Sequence, residues 1–126
     1  MITLLKKKWW RNIKKGIHAS TLKVYGYLEV KKLMAGRKFS YKFLPCVFVG
    51  CHNSARRGRN GIIINNQDKA VFKESLERAK EIVKDYPADE KIVFINAWNE
   101  WAEGNHLEPC SKHGHQFLEA VKEVFE

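Results

Sequence analysis

Apolar positions recur along this chain at two spacings. In residues 68–86, Phe72, Leu76, Ala79, Val83 and Tyr86 fall at alternating steps of four and three, the stripe of a helix packed on a sheet. Asp68 is placed to cap that helix, Pro87 to end it, and Glu74 with Arg78 to form an exposed pair on its outer face. Residues 21–35 read as an earlier helix burying Tyr27, Val30 and Met34, interrupted at Gly26 and stopped by Gly36. The last helix, 115–126, buries Phe117, Val121 and Val124 with Leu118 and Phe125 beside them. Between these lie two dense apolar runs of strand length, 43–50 (FLPCVFVG) and 91–98 (KIVFINAW), which read as two buried parallel strands. Pro45 stands near the start of the first, where a missing amide costs least. Residues 61–66 (GIIINN) read as either a short extra strand or a cover over the sheet's end. The order helix, strand, helix, strand, helix is that of an α/β fold.

Charge changes the picture at the amino end. The formal net charge is +9, yet residues 1–42 hold 12 of the 23 Lys and Arg against the single acid Glu29. Within residues 1–17, Ile2, Leu5, Trp9, Ile13 and Ile17 form one apolar stripe beside Lys6, Lys7, Lys8, Arg11, Lys14 and Lys15. Such a segment suits an anionic membrane surface, or equally packing against another part of a larger domain. Nucleic acid is disfavoured, since no binding motif accompanies the charge. The apolar stretch at 2–5 is far short of a signal peptide's core or a membrane span, and three cysteines, Cys46, Cys51 and Cys110, show no disulfide framework. A reducing cytoplasm, with a peripheral position at the inner face of the membrane as its variant, is the expected setting.

The chemistry is concentrated in residues 99–104, NEWAEG. Loops after the carboxyl ends of parallel strands carry the active sites of α/β proteins, and here Glu100 and Glu103 stand three apart with Trp98 and Trp101 beside them. Glycoside chemistry needs a carboxyl group to protonate the departing oxygen and a second as base or nucleophile, about 5–9.5 Å apart. Indole faces offer flat apolar platforms for a sugar's CH face. A pair of glutamates at this spacing is also a common solvated helix face. The loop at 51–61 (CHNSARRGRNG) follows the first strand and should reach the same rim. There Asn53, Arg56 and Arg57 are placed to hydrogen-bond sugar hydroxyls or a donor phosphate, with a solvated surface loop as the plain alternative.

Residues 92–109 (IVFINAWNEWAEGNHLEP), with 47–58 (VFVGCHNSARRG) and 24–33 (VYGYLEVKKL), resemble the WbsX-type glycosyltransferases, themselves similar to glycoside hydrolase family 99, the endo-alpha-mannosidases. The resemblance implies a (β/α)8 barrel with a carbohydrate substrate in bacterial surface-polysaccharide or lipopolysaccharide assembly. It implies Glu100 taking the proton of the sugar's 2-hydroxyl and Glu103 as acid, then base, at the glycosidic oxygen. Asn53, Arg56, Arg57, Trp98, Asn99, Trp101 and Glu108 would form the substrate-binding set. Family 99 chemistry is metal-independent, so neither metal nor cofactor is expected. His106, Cys110, His113 and His115 match no standard zinc spacing and read as turn residues.

The chain departs from the family pattern at several positions. Cys51 and His52 stand where the family has Trp-Asp, Val49 where it has proline, Cys110 where it has Asp, and Gly26 where it has an acid. A complete barrel needs about 250 residues, whereas this chain has 126. The reading is therefore a basic segment at 1–20 followed, at 21–126, by the carboxyl-terminal part of a barrel. It would be completed by the missing half or by self-association, and inactive alone. A non-catalytic remnant with weak sugar binding, and a basic peripheral-membrane module, are the alternatives.

Overall fold

A computed structural model describes residues 22–126. The basic segment expected at 1–20 lies outside the described residues. The architecture is mixed α/β: β1 (Lys23–Gly26), α1 (Tyr27–Ala35), β2 (Cys46–Phe48), β3 (Cys51–His52), α2 (Ser54–Arg57), β4 (Ile62–Asn65), α3 (Lys69–Val83), β5 (Phe94–Asn96), β6 (Asn99–Glu100), β7 (Asn105–His106) and α4 (Gln116–Phe125).

The two apolar runs pair as parallel strands, with Cys46, Val47 and Phe48 of β2 opposite Phe94, Ile95 and Asn96 of β5. They are shorter than their apolar runs. The ladder opens with the Phe94 N–H on the Pro45 carbonyl at 2.9 Å, and it closes where the Val49 and Gly50 amides turn to the side chain of Asn105. Nor are both strands buried, as expected. Val47 is 4% exposed on the face under α3, but on the other face Phe94 is 53% exposed and Cys46 and Asn96 are open. With two strands, only one face of this sheet has helices to cover it among the described residues.

The helix expected over 21–35 begins later. Residues 23–26 pair in parallel with β4, in register from Lys23 opposite Ile62 to Gly26 opposite Asn65. Val24 and Tyr25 are good strand formers, and the hydrogen-bonding edge of 62–65 outweighs a helical periodicity that Gly26 had already broken. Gly26 is extended (φ −75°, ψ 139°) and caps α1, its N–H reaching the Glu29 carboxylate at 3.4 Å. The later start rotates the buried face. Tyr27 and Lys31, four apart, face inward, while Met34 is 42% exposed and Val30 half-buried. The 61–66 stretch resolves as β4, which also pairs antiparallel with β3. A Cβ on Gly61 would stand 2.7 Å from the Ser54 Cα, so glycine permits this close approach.

α3 matches its pattern as far as Val83: Phe72, Leu76, Ala79 and Val83 are buried, and Asp68 caps it by accepting the Val71 N–H at 3.0 Å, but the helix stops short of Tyr86, which is half-buried in the turn that follows. The expected Glu74–Arg78 pair does not form. Arg78 instead donates to the Ala35 carbonyl, tying α3 to the end of α1. α4 lies along α3, with Phe72 and Phe117 edge-to-face at 5.4 Å and Lys69 bridging Glu119 and Glu123. It buries Phe117, Ala120 and Val124, so Ala120 takes the place expected for the half-buried Val121. Tyr27, Val47, Val49, Leu76 and Leu107 complete the core.

Phe48 ends β2 with its carbonyl accepting from both the Tyr27 hydroxyl (2.8 Å) and the Lys31 ammonium (3.1 Å). Burial pushes Lys31 down to about 8, only partly offset by the Cys46 thiolate's pull when that group is charged. Between that value and the ordinary lysine range, the unfolded chain holds more protons than the folded one. Lys31's cost is therefore fully present below pH 8 and fades as pH rises. Urea melts should show the stability of wild type relative to Lys31→Met rising by about 2 kcal/mol from pH 7.5 to 10. A flat difference across that window would contradict the burial argument.

Candidate functional site

Because β2 and β5 run parallel, the chain leaves both at the same end of the sheet. After β2 it passes through β3 into α2. After β5 it makes the small hairpin β6–β7 around a 3-10 turn at Trp101–Glu103. Gly104 closes that turn in the left-handed region (φ 57°), and a Cβ there would stand 3.4 Å from the Cβ of His52. The two loops are thus in contact.

Asn105 holds them together. It is 5% exposed, and its Oδ1 accepts from the Val49 N–H at 3.2 Å and the Gly50 N–H at 3.3 Å. Both backbone donors would otherwise be orphaned where β2 ends. A second link is an ion pair between the Arg56 guanidinium and Glu103 Oε1. The two candidate acids therefore sit in different settings: the Glu103 side chain is 20% exposed and paired, whereas Glu100 in β6 is open to solvent. Burial and the nearby Glu103 charge push the Cys51 thiol up, which keeps it protonated and a poor nucleophile.

Trp101 is fixed from two sides. Its Nε1–H donates to Glu108 Oε2 at 2.6 Å, and its ring stacks on His106 with centroids 3.7 Å apart and planes 16° from parallel. Glu108 thus orients a neighbouring side chain, and the indole is 50% exposed. Burial holds the His106 imidazole below its usual range, with Glu108 pulling the other way. Trp98 is 53% exposed, its carbonyl occupied by the Leu107 and Glu108 N–H groups at 2.9 and 3.1 Å. Asn99 is exposed in β6 opposite His106.

The remaining expected contacts divide. Asn53 is spent on architecture: its Oδ1 accepts the Ile62 N–H at 2.8 Å, and its carbonyl accepts from the Arg56 and Arg57 amides. Arg57 is exposed and makes no ion pair among the described residues. His113 takes the Cys110 Sγ with its backbone N–H at 3.3 Å and faces Gln116 with Nδ1 at 2.7 Å, within a turn closed between Cys110 and Gly114. The sequence carries Asn105 and His106 along the rim after NEWAEG but shows neither the clamp nor the stacking. Neither residue type announces a loop clamp or a stacking partner; a buried amide is recognised only by where its partners lie.

The family model described as "Glycosyltransferase WbsX" matches residues 2–121. The chain belongs to that family. Among curated relatives, the protein WxcX of Xanthomonas campestris pv. campestris strain B100 is 33% identical over 103 residues, 80% of this chain and 15% of that protein. WxcX of a second strain of the same pathovar is 36% identical over 85 residues, 67% of this chain and 12% of that protein. The chain therefore spans about one seventh of the length of the curated relatives it matches. No solved structure matches it. The family match takes in the NEWAEG rim, the loop carrying Arg56 and most of the basic amino-terminal segment of this WbsX-family chain.

Proposed function

We propose that this WbsX-family chain is the part of a glycan-active module that carries its acid and base, Glu100 and Glu103. The observation that carries the reading is the meeting of the two post-strand loops. On this reading the open carboxylate of Glu100, the guanidinium-paired carboxylate of Glu103 and the two half-exposed indoles serve one rim. In the scheme of the similar family 99, the Glu100 carboxylate takes the proton of the sugar's 2-hydroxyl. That oxygen closes on the anomeric carbon as the glycosidic bond breaks, and the departing glycosidic oxygen takes a proton from Glu103 in its protonated form, released from Arg56. Glu103 then withdraws a proton from the incoming hydroxyl, of water or of another glycan, whose oxygen bonds to the anomeric carbon as the bond to the sugar's 2-oxygen breaks, and that oxygen takes its proton back from Glu100. Asn99 and Arg57 are open to solvent, and a guanidinium suits a phosphate or carboxylate on the substrate.

The architecture is read as the closing β–α–β–α part of a (β/α)8 barrel. The parallel β2–α3–β5 unit and the uncovered face at Cys46, Phe94 and Asn96 support this, since parallel sheets are normally covered on both faces. The setting is surface-polysaccharide assembly at the inner side of the membrane. The replacement of an aromatic and an acid by Cys51 and His52 favours a second reading, a non-catalytic remnant that retains sugar binding.

The test of sugar recognition is a tryptophan-fluorescence titration of the chain with manno-oligosaccharides and activated sugar donors. Saturable binding is expected, lost by at least tenfold in Trp101→Ala, in line with about 1–2 kcal/mol for an aromatic platform. Titrations that are flat for wild type, or unchanged by the substitution, would remove this rim as the glycan site.

A further inference from the structure

A second concave feature lies away from the carboxylate rim. α1, the 36–45 loop and α3 enclose a cleft of about 330 Å³, within the size range of small-molecule sites. Its apolar walls are Leu28, Met34, Phe39, Leu44, Val71 and Ile82, the first four each more than 40% exposed. Residues 43–47, which open β2, form its floor, whereas the carboxylate rim follows the other end of that strand. The two features are separate sites.

The charges around the cleft are one-sided. Lys31, Lys32, Arg37 and Arg78 line it against the single carboxylate of Glu74. Lys31 is buried on the Phe48 carbonyl and Arg78 is tied to the Ala35 carbonyl. The side chains of Lys32 and Arg37 are exposed and make no ion pair among the described residues. A free anion would leave the apolar walls in water, and a neutral apolar molecule would leave the two cations unmatched. A molecule with an apolar tail and an anionic head satisfies both.

We propose that this cleft takes the alkyl chain of a single-chain lipid phosphate, with the phosphate on Lys32 and Arg37. Guanidinium geometry suits two phosphate oxygens, and the ammonium one turn back on α1 supplies a further donor. The proposal does not depend on the reading of Glu100 and Glu103. Its occupant differs in chemistry from a glycan, so either can fail without the other.

The test is isothermal titration of the full 126-residue chain with dodecyl phosphate below its micelle concentration, run against a neutral dodecyl ether and inorganic phosphate. One-to-one binding of dodecyl phosphate is expected, at least about tenfold tighter than the neutral ether, with none for inorganic phosphate. Lys32→Glu with Arg37→Glu should weaken it about tenfold or more. Both positions are exposed, so the urea midpoint should hold and report that the fold is intact. Equal affinity for the neutral ether, unchanged affinity in the double variant, binding of phosphate alone, or no binding at all would each overturn the proposal. So would a doubled sedimentation mass that dodecyl phosphate fails to reverse, which would assign the cleft to a second copy.

Discussion

With Glu103 as the proposed acid and base, Glu103→Gln is expected to lower turnover by about 10²–10⁴-fold in an active assembly of this chain, while saccharide affinity changes little. The amide keeps the volume of the carboxyl group and an oxygen for Arg56, so the two loops stay in contact. It has no proton to deliver to the glycosidic oxygen and no basicity with which to take one back. The exposed side of the pair, Arg56 at 69%, means that loss of the ion pair itself costs about 0–1 kcal/mol, so the variant should fold as wild type does. Steady-state rates with the best glycan substrate, alongside direct binding, separate the two effects. A rate equal to wild type would withdraw Glu103 from the chemistry and favour the remnant reading suggested by Cys51 and His52.

Asn105→Ala should cost about 2–5 kcal/mol of stability, because it strands two backbone N–H groups where β2 ends. The same change should release the NEWAEG hairpin from the 49–52 stretch and weaken whatever the rim binds. Asn105→Asp keeps an oxygen facing both donors and should lose less. Chemical denaturation with hydrogen exchange at Val49 and Gly50 reads both effects. If those two amides remained equally protected in the alanine variant, the clamp would not be what joins the loops.

Much of the architecture was legible beforehand, for local reasons. The stripe of Phe72, Leu76, Ala79 and Val83, its cap at Asp68 and the two dense apolar runs each need only neighbouring residues to be read. Errors arose where a distant partner outbid local preference. Residues 23–26 left the helix because β4 offered them a ladder. Arg78 passed over Glu74, its neighbour one turn back, for the carbonyl at the end of α1. Asn53 turned its oxygen to the Ile62 amide, nine residues on, and away from the rim.

The amino-acid sequence by itself therefore determined the family, the amphipathic face of α3, the Phe117 and Val124 positions of α4, the parallel pair and the clustering of acids and indoles in NEWAEG, all carried by residue type and short spacing. Only the tertiary structure decided which of two similar glutamates is paired, that Glu108 serves Trp101, that a buried asparagine clamps the loops, and that lysine can line a cleft beside leucine and phenylalanine. Those are relations between residues seven to 56 positions apart. The free energy of each depends on desolvation and on which polar group lies within reach, and neither is a property of a short stretch of chain.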